Sequence, residues 1–158
     1  MQSFLSEERY SPTYNWLVLS KSLFLKQHER NPVNWLEWSE EAFDKAKRDG
    51  KLVFVYIGDS RSHSCAVMRQ ELFEDEESAR LLNERYICIM IDKDLHKDIV
   101  YLYLSKCQKM KIKGEGSLVV FLTSEKKLLY ACSYLPIESD DVGRTKFHEL
   151  ITKINEDM

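Results

Sequence analysis

The sequence predicts an α/β domain in which a central mixed sheet of about four strands is flanked by helices. Short apolar runs of strand length alternate along the chain with segments whose apolar residues recur at helical spacing. The last two apolar runs are separated only by a short polar link, which predicts an antiparallel hairpin. Together these patterns indicate a sheet that is parallel at first and is closed by that hairpin.

The composition fits one soluble globular domain with a core of its own, since 44% of the 158 residues are hydrophobic and 31% are charged. The 23 basic and 26 acidic residues are dispersed without a basic block, so we expect no nucleic-acid partner. No stretch reaches the roughly 20 apolar residues of a membrane span, and residues 16–19 are too short an apolar run for a signal peptide. We therefore expect no membrane association.

The four cysteines lie far apart, at positions 65, 88, 107 and 132, and the motif C-x-x-C does not occur. This spacing suits neither a disulfide framework nor a metal site, and it predicts reduced thiols in a cytoplasmic protein. We interpret Cys88 and Cys107 as small core residues, whereas Cys132 is ambiguous.

Residues 1–14 mix Ser, Glu, Pro and Tyr without a period and predict a loose N-terminal arm, followed by a single domain over residues 15–158. Residues 15–38 are rich in aromatic side chains and contain the turn signal Asn31-Pro32. Trp35 and Trp38, three residues apart, are expected to cover one side of the domain. We favour packing for these two indoles and keep ligand binding as the alternative.

The regular elements follow in order. Residues 39–48 predict a helix that Ser39 caps and Gly50 ends, and residues 52–57 predict a strand buried on both faces. Two helices are then predicted, over residues 65–72 and from 73 to about 85. A strand over residues 86–91 and a helix over 99–110 follow them. Strands over 118–122 and 128–134 and a helix around residues 147–154 complete the chain. This order is that of thioredoxin.

Several phrases of the sequence resemble one known family, the N-terminal thioredoxin-like domain of the spermatogenesis-associated protein 20 family. They are Gln27-His28, Asn31-Pro32-Val33-Asn34-Trp35, Trp38, Glu41-Ala42-Phe43, Gly58, Phe73-Glu74-Asp75-Glu76-Glu77, Leu81-Leu82-Asn83-Glu84 and Ile91-Asp92. The resemblance covers about residues 15–135. It implies a thioredoxin-like fold and places a redox motif directly after the first long strand.

The chain departs from the family pattern at that motif. Typical members read C-H-W-C-H-V-M, whereas this chain reads Ser62-His63-Ser64-Cys65-Ala66-Val67-Met68. Members also carry W-P before the third strand, where a cis-proline faces the dithiol, and here Gly116-Ser117 stands at that point. Lys97 replaces a further proline. Members continue into a long helical domain for which 158 residues leave no room, so the resemblance implies a stand-alone, degenerate member.

A thiol–disulfide oxidoreductase needs a thiolate at a helix N-terminus and a second thiol that resolves the mixed disulfide. Ser62 stands where the attacking cysteine belongs, and a serine hydroxyl without a general base stays protonated near neutral pH. Cys65 stands at the resolving position, one turn inside the predicted helix, where burial raises a thiol pKa. The motif therefore excludes a dithiol cycle.

The sequence favours a redox-inactive binding module whose partner is another protein, with no cofactor and no metal. Its candidate site consists of the vestigial redox residues Ser62, His63 and Cys65 and the binding residues Ser117, Trp35 and Trp38. Two alternatives stay open. In one, Cys65 acts as a monothiol oxidoreductase or redox sensor, with His63 helping to form the thiolate; in the other, Cys65 only accepts adducts such as glutathione.

The remaining polar candidates are weaker. His28, His63, His96 and His148 show no metal-ligand spacing, and we interpret each as a surface or hydrogen-bonded histidine. Asp92, Asp94 and Asp98 are expected to form a solvated turn and helix cap. No phosphate loop and no Ser/His/Asp catalytic signature is present in the sequence.

Overall fold

The computed structural model describes residues 11–58, 73–109, 118–132 and 148–154. Within these ranges the chain forms one five-stranded mixed sheet with the order β1-β3-β2-β4-β5. The strands are β1 (Leu36–Glu37), β2 (Leu52–Gly58), β3 (Tyr86–Asp92), β4 (Leu118–Leu122) and β5 (Leu128–Cys132). β3 is parallel to β1 and β2, whereas β4 is antiparallel to both β2 and β5. The predicted mixed sheet with a closing hairpin is confirmed.

The sheet has one strand more than the predicted number of about four. This additional strand, β1, has only two residues, which pair with Ile89 and Met90 of β3. A two-residue strand is too short to show any alternation of apolar and polar residues. Its presence is therefore decided by pairing with β3 and not by a local pattern.

The helices flank the sheet in the predicted order. They are a 3-10 helix (Trp16–Leu19), α1 (Leu23–Lys26), α2 (Glu40–Asp49), α3 (Glu76–Arg85), α4 (Lys97–Lys109) and α5 (residues 148–154). The predicted helix over 65–72 lies outside the described residues, as does the N-terminal arm up to residue 10. No helix of the described ranges is long and apolar enough to span a membrane.

Capping residues decide where α2 and α3 begin and end. The Ser39 hydroxyl accepts a hydrogen bond from the Ala42 amide at 3.2 Å, and Gly50 ends α2 in the left-handed conformation with φ at 64°. Asp75 caps α3 by accepting from the Ser78 amide at 2.9 Å. Because the cap is Asp75, this helix begins at Glu76, three residues later than the sequence predicted.

Each face of the sheet carries its own core. One face packs against α3, α5 and the N-terminal segment, and the other packs against α2 and α4. The first core includes Phe54, Tyr56, Phe73, Tyr86 and Phe121, and the second includes Phe43, Val55, Ile89, Tyr103 and Val120. Every residue of β3 and all but the first of β2 are buried, as expected for central strands that are covered on both faces.

Candidate functional site

The three parallel strands end at one edge of the sheet, and the candidate redox segment follows from that edge. β1, β2 and β3 end at Glu37, Gly58 and Asp92, and Gly58 is paired with Asp92. In open α/β sheets, ligands bind outside the carboxyl ends of the strands. Ser62, His63 and Cys65 follow Gly58 by four, five and seven residues in the sequence, but their positions lie outside the described residues.

Strand β4 begins at the same edge of the sheet. Leu118, the first residue of β4, is paired with Ile57, the residue before Gly58. Ser117 itself lies outside the described residues. The pairing places Leu118, the residue after Ser117, beside Ile57, which precedes Ser62 by five residues in the sequence.

Asp92 is a buried carboxylate at this edge, so the expectation of a solvated turn is wrong for this residue. Its side chain accepts a hydrogen bond from the Ser22 hydroxyl at 2.6 Å and another from the Asp94 amide at 2.9 Å. These donors offset the cost of removing the carboxylate from water. Asp94 and Asp98 are exposed, as predicted. Asp92 thus ties the N-terminal segment to the end of β3.

A chain of hydrogen bonds continues from Ser22 to the end of β1. The Ser22 amide donates to the Ser20 hydroxyl at 3.0 Å, and that hydroxyl donates to the Glu37 carboxylate at 2.9 Å. Each serine therefore donates its proton to a carboxylate and accepts from a backbone amide. This network could not be predicted from the sequence, because its hydrogen-bonded partners are up to 70 residues apart. The local signal was Ser22 as a helix cap before an apolar turn.

The family phrase that begins at His28 builds a buried polar network. His28 is 1% exposed, and its Nδ1 lies 2.9 Å from the Asn31 side-chain oxygen, which also accepts from the Trp35 indole at 3.2 Å. Because that oxygen only accepts, Nδ1 of His28 is assigned as the donor. The His28 ring also contacts Phe73 edge-on at 6.2 Å. The prediction of a hydrogen-bonded histidine is confirmed for His28.

A second histidine joins a serine and an aspartate, but not in a catalytic order. Nε2 of His148 lies 2.8 Å from the Ser78 hydroxyl, which lies 2.7 Å from the Asp75 carboxylate. An ionised carboxylate can only accept, so Ser78 donates to Asp75 and accepts from His148. A catalytic triad needs the opposite direction, with the histidine accepting the serine proton. The cluster therefore fixes α5 to the start of α3 and creates no nucleophile.

The two tryptophans lie on opposite faces of the sheet, so the expectation that they cover one side of the domain is wrong. Trp35 is fully buried in the first core, where it contacts Phe73 edge-on at 5.0 Å. Trp38 is half-buried and contacts Phe43 and Tyr103 on the other face. The segment is extended and not helical, so a spacing of three turns the side chains to opposite faces.

The structure describes some of the candidate metal ligands and one of the cysteine side chains. Within the described ranges, no three His, Cys, Asp or Glu side chains are grouped to hold a metal ion. Cys107 lies on α4 and Cys132 on β5, but their side chains are outside the described part of the structure. Cys88 is 2% exposed on β3, and its thiol lies 3.8 Å from the Leu82 carbonyl oxygen. It is the small core residue that the sequence predicted.

Burial raises the pKa of the Cys88 thiol well above its ordinary value of about 8.5. We therefore expect iodoacetamide at pH 8 to leave Cys88 unlabelled in the native protein and to label it in urea, as peptide mapping by mass spectrometry would measure. The folded state also keeps this proton when the unfolded state loses it. The contribution of this thiol to the free energy of unfolding is therefore fully present below about pH 8.5. Above that pH, the free energy of unfolding falls by at most about 1.4 kcal/mol per pH unit because of Cys88.

Cys88→Ala is the matched variant for this expectation. It removes the buried thiol, so its free energy of unfolding should fall less steeply than that of the wild type between about pH 8.5 and 10. Burial also raises the pKa values of Tyr86 and Tyr103, which both proteins share. Equal slopes for the two proteins, or rapid native labelling of Cys88, would contradict the assignment.

Comparison with known proteins agrees with this architecture. The model of the family described as Protein of unknown function, DUF255 (Thioredox_DsbH), matches residues 14–158. Spermatogenesis-associated protein 20 of Mus musculus is 38% identical over 142 residues, which are 90% of this chain and 18% of that protein. The chain thus spans less than a fifth of the length of that relative.

Solved structures show the fold. A structure titled DsbH Oxidoreductase superposes with a TM-score of 0.55 at 16% identity, covering 76% of this chain and 85% of the other. A thioredoxin from Thermus thermophilus gives 0.56 at 18% identity, covering 78% and 87%. The fold is thioredoxin-like, and the chain belongs to the Thioredox_DsbH (DUF255) family, as its resemblance to spermatogenesis-associated protein 20 implied.

Proposed function

We propose that this thioredoxin-like chain is a binding module for another protein and does not carry out a dithiol cycle. The observation that carries the proposal is the replacement of the attacking position by Ser62 in a chain that keeps the scaffold around it. The strand order, the His28–Asn31–Trp35 network and the buried Asp92 all support an intact framework. A scaffold kept without its nucleophile is suited to recognition by the surface at the carboxyl edge.

Cys88 does not supply the missing thiol. Cys88 lies four residues before Asp92, the partner of Gly58, and therefore about 13 Å along β3 from the end of that strand. Disulfides require Cα atoms about 4.4–6.8 Å apart. A buried thiol with a raised pKa is also a poor nucleophile. Both facts argue against Cys88 as the resolving partner of Cys65.

The proposal is tested by the reactivity of Cys65. We expect alkylation of Cys65 to follow a pKa near or above the ordinary value of about 8.5, and insulin reduction to stay at the rate of the buffer alone. A Cys65 pKa below about 7 with insulin turnover would establish a thiol enzyme instead. Since His63 precedes Cys65 by two residues, His63→Ala would then be expected to raise that pKa.

A variant that restores the second thiol provides the matched control. Ser62→Cys recreates C-x-x-C on the same scaffold, and mild oxidation is expected to remove the free thiols at both positions. Insulin reduction by this variant but not by the wild type would assign the loss of chemistry to position 62. Equal insulin reduction by both proteins would contradict the proposal.

A further inference from the structure

A cleft lined by two indoles opens beside the end of the edge strand β1. It lies between the 3-10 helix, β1 and the start of α2. Its lining comprises Trp16, Leu19, Leu36, Glu37, Trp38, Ser39 and Glu41. The hydrogen bond from Ser20 to Glu37 links two of these elements and holds that carboxylate at the cleft.

The size of the cleft sets the size of its ligand. Its volume is about 210 Å³. Sites for drug-sized ligands typically enclose about 300–1,000 Å³. The cleft is therefore too small for a nucleotide-sized molecule and suits a single long side chain.

The side chains that line the cleft favour a positively charged ligand. Two carboxylates, those of Glu37 and Glu41, and two indoles line the cleft. The faces of tryptophan rings attract cations more strongly than those of other aromatic residues. Apolar contacts from Leu19 and Leu36 suit a methylene stem below a charged head. Charge and shape thus both match lysine or arginine.

The protein already uses the same chemistry at Trp38. Lys126 is paired with Glu40, and its Nζ lies 5.9 Å from the centre of the Trp38 ring and 5.1 Å from that of Phe43. Lys126 adopts φ of 70°, a conformation that non-glycine residues rarely take, within the β4–β5 turn. It is not a lining residue of the cleft. An ammonium group near both an indole and a carboxylate therefore already occurs in this part of the fold.

We propose that this cleft binds a lysine or arginine side chain presented by a partner protein. The inference rests on the proposed binding function and names the chemistry by which the partner is recognised. The cleft lies at the carboxyl end of β1, the edge at which β2 and β3 also end. A basic residue of the partner enters the cleft at that edge.

The test is an NMR titration of the 15N-labelled full chain with a short Gly/Ser peptide that contains one arginine. We expect the indole N–H signals of Trp16 and Trp38 to shift, while that of Trp35, buried on the other face, stays in place. A peptide with citrulline, the neutral isostere of arginine, should bind about tenfold more weakly. Added salt should weaken binding of the arginine peptide.

Glu37→Gln removes the charge but keeps an oxygen that accepts from Ser20, so the fold should survive. We expect it to weaken binding of the arginine peptide several-fold, whereas Glu77→Gln, an exposed position at the start of α3, should leave binding unchanged. Equal binding of the citrulline peptide, a shift of Trp35 alone, or no effect of Glu37→Gln would overturn the inference.

The outcome is separable from that of the proposed function. Cys65 labelling and insulin reduction do not involve the cleft, and the peptide titration does not involve the thiol. An inert Cys65 with no peptide binding would overturn only the basic-ligand inference. A reactive Cys65 with specific arginine binding would overturn the redox-inactive function and leave the cleft assignment in place.

Discussion

Trp35→Ala is expected to lower the free energy of unfolding by about 3–5 kcal/mol, the range for removing a large aromatic side chain from a core. Trp35 is 0% exposed and contacts Phe54, Tyr56 and Phe73 with ring centres 5.0–6.4 Å apart. Its indole N–H also donates to Asn31. Since domains are stable by only about 5–15 kcal/mol, this one substitution removes a large share of the total.

Urea denaturation followed by circular dichroism measures the effect, and two variants isolate its cause. Trp35→Phe keeps an aromatic ring and loses the hydrogen bond, so we expect a smaller loss. Trp38→Ala truncates a half-buried indole on the other face and should cost less than Trp35→Ala. A loss for Trp35→Ala no larger than that for Trp38→Ala would contradict the central position of Trp35 in the core.

Asn15→Ala is expected to lower the free energy of unfolding by about 2–4 kcal/mol. The Asn15 amide nitrogen lies 2.8–3.3 Å from the carbonyl oxygens of His28, Asn31 and Val33. Its two N–H groups are thus shared among three buried acceptors. The side-chain oxygen accepts from the Leu17 amide at 3.0 Å. Each buried group left without a partner costs about 1–3 kcal/mol, which gives the expected range.

Two further substitutions make the Asn15 prediction specific. Gln27→Ala removes an exposed amide side chain from the end of α1 and should change stability by less than about 0.5 kcal/mol. Asn15→Asp keeps the acceptor for Leu17 but places a carboxylate against carbonyl oxygens, so it should be at least as harmful as alanine. Full stability of Asn15→Asp would refute the donor role of the amide.

The sequence predicted the elements whose signals are local. The cap at Ser39, the helix end at Gly50 and the continuous apolar runs of β2 and β3 all lie within single segments, and the structure confirms them. The hairpin of β4 and β5 was also predictable, because its link is short and polar. The family phrases then identified the thioredoxin-like arrangement before any contact was known.

The candidate site was predictable only in part. The replacement at Ser62 is visible in the sequence, because the strand before it and the family pattern fix where the dithiol belongs. The buried state of Asp92 was not visible, since its partner Ser22 is 70 residues away. Charged residues near turns are usually solvated, and here the distant Ser22 hydroxyl joins the local Asp94 amide in making burial acceptable.

By itself, the sequence determined the fold and the absence of a second cysteine in the motif, because both depend on residue types and their order along the chain. Tertiary structure alone decided the short strand β1, the separation of Trp35 and Trp38 onto opposite faces, and the cleft beside Glu37. These features depend on contacts between segments that are distant in the sequence, and the spacing of residues within one segment does not predict such contacts. Tertiary structure also decided which residues donate in the Asp75–Ser78–His148 hydrogen bonds, because this depends on how all three side chains are placed.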